Sequence, residues 1–89
     1  EEIFEAVVNK NLDKLKTFIN QGANLNELTP DGWSALHIAC QNGDYEIVMA
    51  LVEGGADINM ECNNYTPTEI SCCNKNCKIV KYLIEKGAD

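Results

Sequence analysis

The sequence predicts an all-α solenoid made of about three stacked helix-turn-helix units. The first observation is a repeated triplet, since Gly22-Ala23-Asn24, Gly55-Ala56-Asp57 and Gly87-Ala88-Asp89 follow one another at intervals of 33 and 32 residues. The second is that each triplet closes a stretch in which apolar residues recur at helical spacing. A fixed period of this length indicates supersecondary units that bury their apolar faces only by stacking on one another.

The first unit, residues 1–26, carries two helical patterns without a leading turn. Asn11 precedes the second pattern and is the expected cap, because its side chain can accept a hydrogen bond from a free backbone N–H. The apolar positions of the two helices are Ile3, Phe4, Ala6 and Val7, followed by Leu12, Leu15, Phe18 and Ile19.

The second unit, residues 27–59, shows the pattern most clearly. Its first helix is expected over about 34–41 and is ended by Gly43, after which Asp44 caps a second helix that ends at Gly54-Gly55. The apolar positions are Ala35, Leu36, Ile38, Ala39 and Cys40, followed by Ile47, Val48, Leu51 and Val52.

The third unit, residues 60–89, repeats this scheme with a capping box, Thr66-Pro67-Thr68-Glu69, in which proline takes the first helical position. Asn76 is the expected cap of its second helix. The connection from the second unit is one residue short, so we expect a distorted or poorly formed turn, although Asn64 tolerates positive φ. The apolar positions of the second helix are Ile79, Val80, Leu83 and Ile84.

Length and composition favour one small domain. The chain has 89 residues, of which 45% are hydrophobic, and no apolar run approaches the roughly 20 residues that span a membrane. No signal-peptide pattern opens the sequence.

The five cysteines form no disulfide framework, which favours a reducing, intracellular setting in the cytoplasm or nucleus. Because the sequence opens without Met and stops after a repeat motif, we expect it to be part of a longer array.

The charge distribution favours a protein partner with a basic or neutral surface. The net charge is −7, the chain has no arginine, and no basic residue lies between Lys16 and Lys75. Nucleic acid binding is disfavoured, because arginine is the residue best suited to bidentate phosphate contacts. The acidic residues in that span are Glu27, Asp31, Asp44, Glu46, Glu53, Asp57, Glu61 and Glu69.

The repeats resemble ankyrin repeats over essentially the whole chain. In the second unit the resemblance runs from Gly32-Trp33-Ser34-Ala35-Leu36-His37-Ile38-Ala39 to Gly55-Ala56-Asp57-Ile58-Asn59, and in the third it includes Thr66-Pro67 and residues 79–89. The departures are Ser34-Ala35 in place of Thr-Pro, and Thr68-Glu69 in place of Leu-His.

This resemblance implies short β-turn fingers at the base of the helix pairs and a concave binding face formed by fingers and first helices. It implies a protein–protein interaction module that is not an enzyme, needs no cofactor and takes no small-molecule substrate. Trp33 and Tyr65 occupy equivalent places, either as partner anchors or as covers for the neighbouring finger. The residues implied for the face are Val8, Asn9, Pro30, Asp31, Trp33, Gln41, Asn42, Cys62, Asn63, Tyr65, Cys73 and Asn74.

Other chemistries are weaker interpretations. A zinc site is disfavoured because adjacent Cys72 and Cys73 diverge on a helix, and Cys40 and Cys72 fall where the family has small apolar residues. Cys77 lies in a first helical turn, where a thiol can become reactive. The resemblance gives His37 a structural role as a hydrogen-bonding partner of the finger.

Two further motifs have a structural and a functional interpretation. Asp44 and Glu46 could form an acidic couple, but an exposed helix start favours such residues in any case. Leu51 followed by Asp57-Ile58-Asn59 resembles the pattern favoured by the asparaginyl hydroxylase that acts on ankyrin repeats, with Asn59 as acceptor. The functional alternatives are a regulatory or tethering segment of a larger enzyme or channel, and a purely structural spacer.

Overall fold

Six helices form a two-layer stack in the computed structural model, which describes residues 2–87. The first layer packs α1, α3 and α5 side by side, and the second packs α2, α4 and α6. The predicted all-α solenoid of three helix pairs is confirmed, although Ala88 and Asp89 of the third triplet lie outside the described residues. The helices are α1 Glu2–Val8, α2 Leu12–Asn20, α3 Ala35–Asn42, α4 Tyr45–Glu53, α5 Pro67–Cys73 and α6 Cys77–Glu85.

Four of the helices begin at a side chain that caps them. The side chains of Asn11, Ser34 and Asp44 each accept a hydrogen bond from the backbone N–H three residues further on. Thr66 and Glu69 form the reciprocal capping box, with 3.2 Å from Glu69 N to Thr66 Oγ1 and 2.8 Å from Thr66 N to Glu69 Oε1. The predicted caps at Asn11, Asp44 and Thr66 are therefore confirmed, and Ser34 is a cap that was not predicted from the sequence.

Asn76 departs from the prediction that it caps α6. It occupies the N-cap position, but its side chain makes no capping hydrogen bond. The side-chain amide lies beside Gly43, where an added Cβ would come within 2.8 Å of Asn76 Nδ2. Gly43 is needed there for a second reason, since its φ of 75° lies in the left-handed region.

The core lies between the two layers, and its centre is formed by α3, which contacts α1, α4 and α5, and by α4, which contacts α2, α3 and α6. The fully buried side chains include Leu15, Leu36, Ile47, Val48, Leu51, Ile79 and Leu83. Cys40 is buried as predicted, but the expectation that Cys72 packs as a small apolar residue is wrong. Cys72 is exposed because it lines an open groove beside Cys77 and Val80, where no described element packs over it.

The first finger joins the first and second units through a short two-stranded turn. Leu28 and Ser34 form an antiparallel bridge, and Thr29 N donates to Trp33 O at 2.8 Å. Gly32 N donates to Thr29 O at 2.8 Å, which closes a turn over Pro30 and Asp31. This places Pro30 and Asp31 at an exposed tip.

The second finger is tighter than the first and is well formed, so the expectation of a distorted turn is wrong. Cys62 and Tyr65 pair directly, with 2.8 Å from Cys62 N to Tyr65 O and 3.0 Å from Tyr65 N to Cys62 O. The two central residues, Asn63 and Asn64, have φ of 54° and 73°. A two-residue hairpin loop of type I′ requires positive φ at both positions, and asparagine accepts it readily. The missing residue thus shortens the finger without disrupting it.

Thr68 is the basis of a stability prediction. Its Oγ1 is buried and has no hydrogen-bond partner among residues 2–87. Thr68→Val is expected to raise the free energy of unfolding by about 1 kcal/mol, because it removes an unsatisfied hydroxyl at nearly constant shape. Urea denaturation measures this change. Thr29→Val is the matched control and should lose stability, since Thr29 Oγ1 accepts from Trp33 N at 3.1 Å; a loss in both variants would contradict the prediction.

Candidate functional site

An open groove lies between the fingers and the ends of the first-layer helices. Its volume is about 210 Å³, and we call it the finger–helix groove. Trp33 and Tyr65 form the finger side, and Trp33 is half-buried whereas Tyr65 is 45% exposed. The helix side comes from the ends of α3 and α5, and its lining residues are Gln41, Ile70, Cys73 and Asn74.

His37 connects the start of α3 to the second finger. Its Nε2 lies 2.7 Å from Tyr65 O, and its Nδ1 lies 2.6 Å from Ser34 Oγ. Because a carbonyl oxygen only accepts, Nε2 carries the proton and Nδ1 of the neutral ring accepts from the Ser34 hydroxyl. The structural role expected of His37 is confirmed.

The protonation state of His37 follows from its surroundings. Burial lowers the pKa of the ring below its ordinary value of 6.5, and the hydrogen bond to the Tyr65 backbone offsets only part of this effect. Ser34 and His37 are 3% and 1% exposed, and Ser34 Oγ also accepts from His37 N to cap α3. A substrate cannot reach this pair, which therefore supports the fold rather than nucleophilic chemistry.

The tips of the fingers and the ends of the helices are tied together across successive units. Asn63 Nδ2 donates to Asp31 O at 3.3 Å, which joins the two finger tips. Asn74 Nδ2 donates to Gln41 O at 3.2 Å, which joins the ends of α3 and α5. These contacts hold both sides of the groove in place before any partner arrives.

The structure brings together most, but not all, of the residues predicted for a binding face. The residues that line the groove are Trp33, Gln41, Tyr65, Cys73 and Asn74, and Pro30, Asp31 and Asn63 lie at the finger tips beside it. Val8, which is 55% exposed, Asn9 and Asn42 lie outside the groove lining, and Cys62 is buried in the second finger.

Ile70 lines the groove although it was not among the residues predicted for the binding face, and it also packs against the core. It is half-buried and lies three and four residues before Cys73 and Asn74 on α5. Residues at these spacings share one helix face. That spacing is the signal by which Ile70 could have been assigned to the groove.

Neither the cysteines nor the other titratable groups form a metal site within residues 2–87, where no group of three or more His, Cys, Asp or Glu side chains could hold a metal ion. Burial raises the pKa of the Cys40 thiol to about 11, and a hydrogen bond with Ser71 opposes this shift.

Two further residues singled out in the sequence lie at the surface of the third unit and its connection. Cys77 is the first residue of α6, as expected. Asn59 is exposed, and its Nδ2 donates to Gly87 O at 3.3 Å.

The comparison that decides the family is the sequence profile for ankyrin repeats in three copies, which matches residues 3–89. The chain belongs to the ankyrin repeat family. Ankyrin repeats are generally protein-interaction modules. Separately, none of the helices described for this ankyrin domain has the length and apolar character needed to cross a bilayer.

Solved and curated relatives agree with this assignment. The crystal structure of the human ASB11 ankyrin repeat domain is 37% identical, covers 100% of this chain and 41% of its own, and has a TM-score of 0.90. Protein phosphatase 1 regulatory subunit 27 of Mus musculus is 38% identical over 55 residues, or 62% of this chain and 36% of the relative. The Notch-regulated ankyrin repeat-containing protein of Xenopus tropicalis is 38% identical over 50 residues, or 56% of this chain and 44% of the relative.

Proposed function

We propose that this ankyrin domain is a protein-binding module whose partner docks on the concave face formed by the fingers and the first-layer helices. The observation that carries the proposal is the finger–helix groove, in which Trp33 and Tyr65 are partly exposed side by side with helix residues. Tryptophan and tyrosine are among the residues that most often dominate binding energy at interfaces. Partial exposure leaves apolar area that a partner can cover.

The rigidity of the face also supports binding. The Asn63–Asp31 and Asn74–Gln41 hydrogen bonds link the elements on both sides of the groove in the free domain. A surface that is already ordered loses little conformational freedom on association, so more of the contact energy appears as affinity. We infer that the module acts by presenting a fixed surface.

The surrounding charge favours a partner with a basic or neutral surface over nucleic acid. The span between Lys16 and Lys75, which contains both fingers, carries acidic residues and no basic residue. Phosphate backbones bind through lysine and arginine, which this span lacks. The free thiols of Cys72, Cys73 and Cys77 are exposed, which fits an intracellular, reducing setting.

A second candidate function is a regulatory or tethering segment of a larger enzyme. The relatives favour it, because the mouse serine/threonine-protein kinase TNNI3K is 40% identical over 52 residues, and the match covers only 6% of that kinase. The Hydra vulgaris tyrosine-protein kinase HTK16 is 42% identical over 48 residues, again 6% of its length. Binding through the same groove would serve both functions.

We further propose Asn59 as an acceptor for hydroxylation. Because its side-chain amide is hydrogen-bonded to Gly87 O, modification requires local opening at the end of the third unit. Incubation of the domain with an asparaginyl hydroxylase, followed by peptide mass spectrometry, tests this assignment. One added oxygen on Asn59 supports it, and an unmodified Asn59 contradicts it.

Trp33→Ala is expected to weaken the complex by about 1–3 kcal/mol, which is a rise in Kd of about 5- to 150-fold, while the circular dichroism spectrum stays nearly unchanged. The reason is that Trp33 is only half-buried in the free domain. The partner is isolated by affinity capture with the wild-type domain, and its Kd is then measured by calorimetry.

Tyr45→Ala is the matched control, because Tyr45 is a half-buried aromatic residue of the second layer outside the groove. It should leave the Kd within about twofold, as expected for a residue outside the interface. If Trp33→Ala unfolds the domain, or if Tyr45→Ala weakens the complex as much, the partner does not use Trp33 as an anchor and the proposed face is wrong.

A further inference from the structure

Aromatic rings in the second helix layer each have a lysine of the same chain as a neighbour. The ammonium groups lie over the ring faces at distances typical of cation–π contacts. The pairs, with the distance from Nζ to the ring centroid, are Lys14–Phe18 at 5.9 Å, Lys78–Tyr45 at 4.4 Å and Lys86–Tyr82 at 5.6 Å. Three of the seven lysines of the chain are therefore already paired with rings along this layer.

Trp33 and Tyr65, by contrast, have no cation over their rings within residues 2–87. No lysine or arginine lies near them in sequence, because the chain has none between Lys16 and Lys75. Within residues 2–87, the one aromatic ring paired with that of Trp33 is His37, at 5.9 Å between centroids, and burial favours the neutral form of this histidine by lowering its pKa. Two electron-rich rings thus border one groove without the partner that comparable rings have elsewhere in the chain.

The polar groups around the groove are suited to a cation. Asp31 lies at the exposed tip of the first finger beside the groove. Glu61 and Glu69 flank the second finger in sequence and are exposed, but neither lines the groove, and Glu69 Oε1 already accepts from Thr66 N at 2.8 Å. The Gln41 side-chain amide lines the groove and makes no hydrogen bond within the described part of the chain. Its oxygen is therefore available to accept an N–H from a ligand.

Arginine fits this combination better than lysine. A guanidinium is planar, stacks on aromatic faces, is weakly hydrated and presents several N–H donors in a fixed plane. An ammonium is a compact and strongly hydrated charge, so an open groove gains less from it. The groove volume of about 210 Å³ suits one side chain rather than a helix.

We propose that the finger–helix groove binds an arginine side chain from a basic segment of the partner. The guanidinium stacks against the rings of Trp33 and Tyr65, donates to the Gln41 side chain and is attracted by the carboxylate of Asp31 at the finger tip. This inference rests on the proposed function, because it names the chemical group that the concave face recognises.

The single tryptophan of the chain makes the test direct. N-acetylarginine amide is titrated into the domain while Trp33 fluorescence and backbone amide NMR shifts are recorded. The citrulline analogue, which is neutral but nearly the same shape, and the lysine analogue are titrated in parallel. Arginine should give a saturable change that maps to the groove, with a dissociation constant at least about tenfold lower than that of citrulline, because the charge over the rings is lost in citrulline.

Two variants assign the site. Tyr65→Leu should weaken arginine binding about threefold or more, because one ring face is removed, and Tyr45→Leu in the second layer should leave it unchanged. Equal responses to arginine and citrulline, NMR shifts confined to the second layer, or no effect of Tyr65→Leu would overturn the inference.

The outcome is separable from that of the proposed function. A partner whose binding needs Trp33, combined with no response to arginine, keeps the proposed function and rejects the arginine site. Saturable arginine binding in the groove, combined with a partner that is insensitive to Trp33→Ala, supports the arginine site but rejects both the proposed docking face and this partner as the source of the arginine.

Discussion

His37→Ala is expected to lower the free energy of unfolding by about 2–4 kcal/mol, which is a large part of the stability of a small domain. The substitution removes both ring hydrogen bonds and leaves the Tyr65 carbonyl without the donor that His37 supplies. It also separates the second finger from α3, since the 2.7 Å bond from Nε2 to Tyr65 O joins residues that are 28 positions apart. Urea denaturation followed by circular dichroism measures the loss.

His37→Gln is the matched control for this result. A glutamine side chain can place an N–H near the Tyr65 carbonyl, so it should retain part of the lost stability. If alanine and wild type unfold at the same urea concentration, the bridge through His37 does not stabilise the stack.

The same residue makes stability depend on pH. Because burial lowers the pKa of His37 in the folded domain, the unfolded chain binds more protons as the pH falls below about 6.5, the ordinary histidine value. The contribution of the neutral ring is fully present above that pH and is lost as the pH falls towards the folded-state pKa. His37→Gln should flatten this part of the stability profile, and an unchanged profile would contradict the assignment.

Leu51→Ala is the second large effect, with an expected loss of about 2–5 kcal/mol. Leu51 is 0% exposed in α4, the helix that contacts both other helices of the second layer. Deleting its side chain leaves a cavity that neighbours on several elements cannot fill without moving. Thermal and urea unfolding measure the change, and loss of the folded state at 37 °C would agree with the prediction.

Val52→Ala tests whether burial is the cause. Val52 is the next residue of α4 and is only half-buried, so its truncation should cost about 1 kcal/mol and less than that of Leu51. Equal losses at the two positions would contradict the prediction, because alanine is the better helix former at both and the difference in burial would then have no effect.

Features that depend on residues close together in the chain could be predicted from the sequence. The three repeats, the helix boundaries and the caps at Asn11, Asp44 and Thr66 rest on spacing and on hydrogen bonds within three residues. Asn64 was expected to tolerate positive φ, and it does so at 73°. These features follow from local backbone and side-chain chemistry, which is why the pattern alone predicts them.

Features that join separate units were decided by the tertiary structure. The second finger became a two-residue hairpin because Cys62 and Tyr65 can pair directly and two asparagines accept positive φ. Asn76 lost its capping role because its side chain lies against Gly43 in the preceding unit. Neither outcome can be derived from a single repeat, because each depends on how close other backbone segments come.

The finger–helix groove was likewise predicted from the sequence only in part. Aromatic residues at equivalent places in two fingers were visible in the sequence, whereas the approach of Trp33 and Tyr65 to Gln41, Ile70 and Asn74 required the stack itself. The bonds that hold the groove span 28 to 33 residues and form only when the units pack at a fixed distance. The sequence by itself therefore determined the repeating units and their local ends, and packing between units decided which side chains meet at the surface.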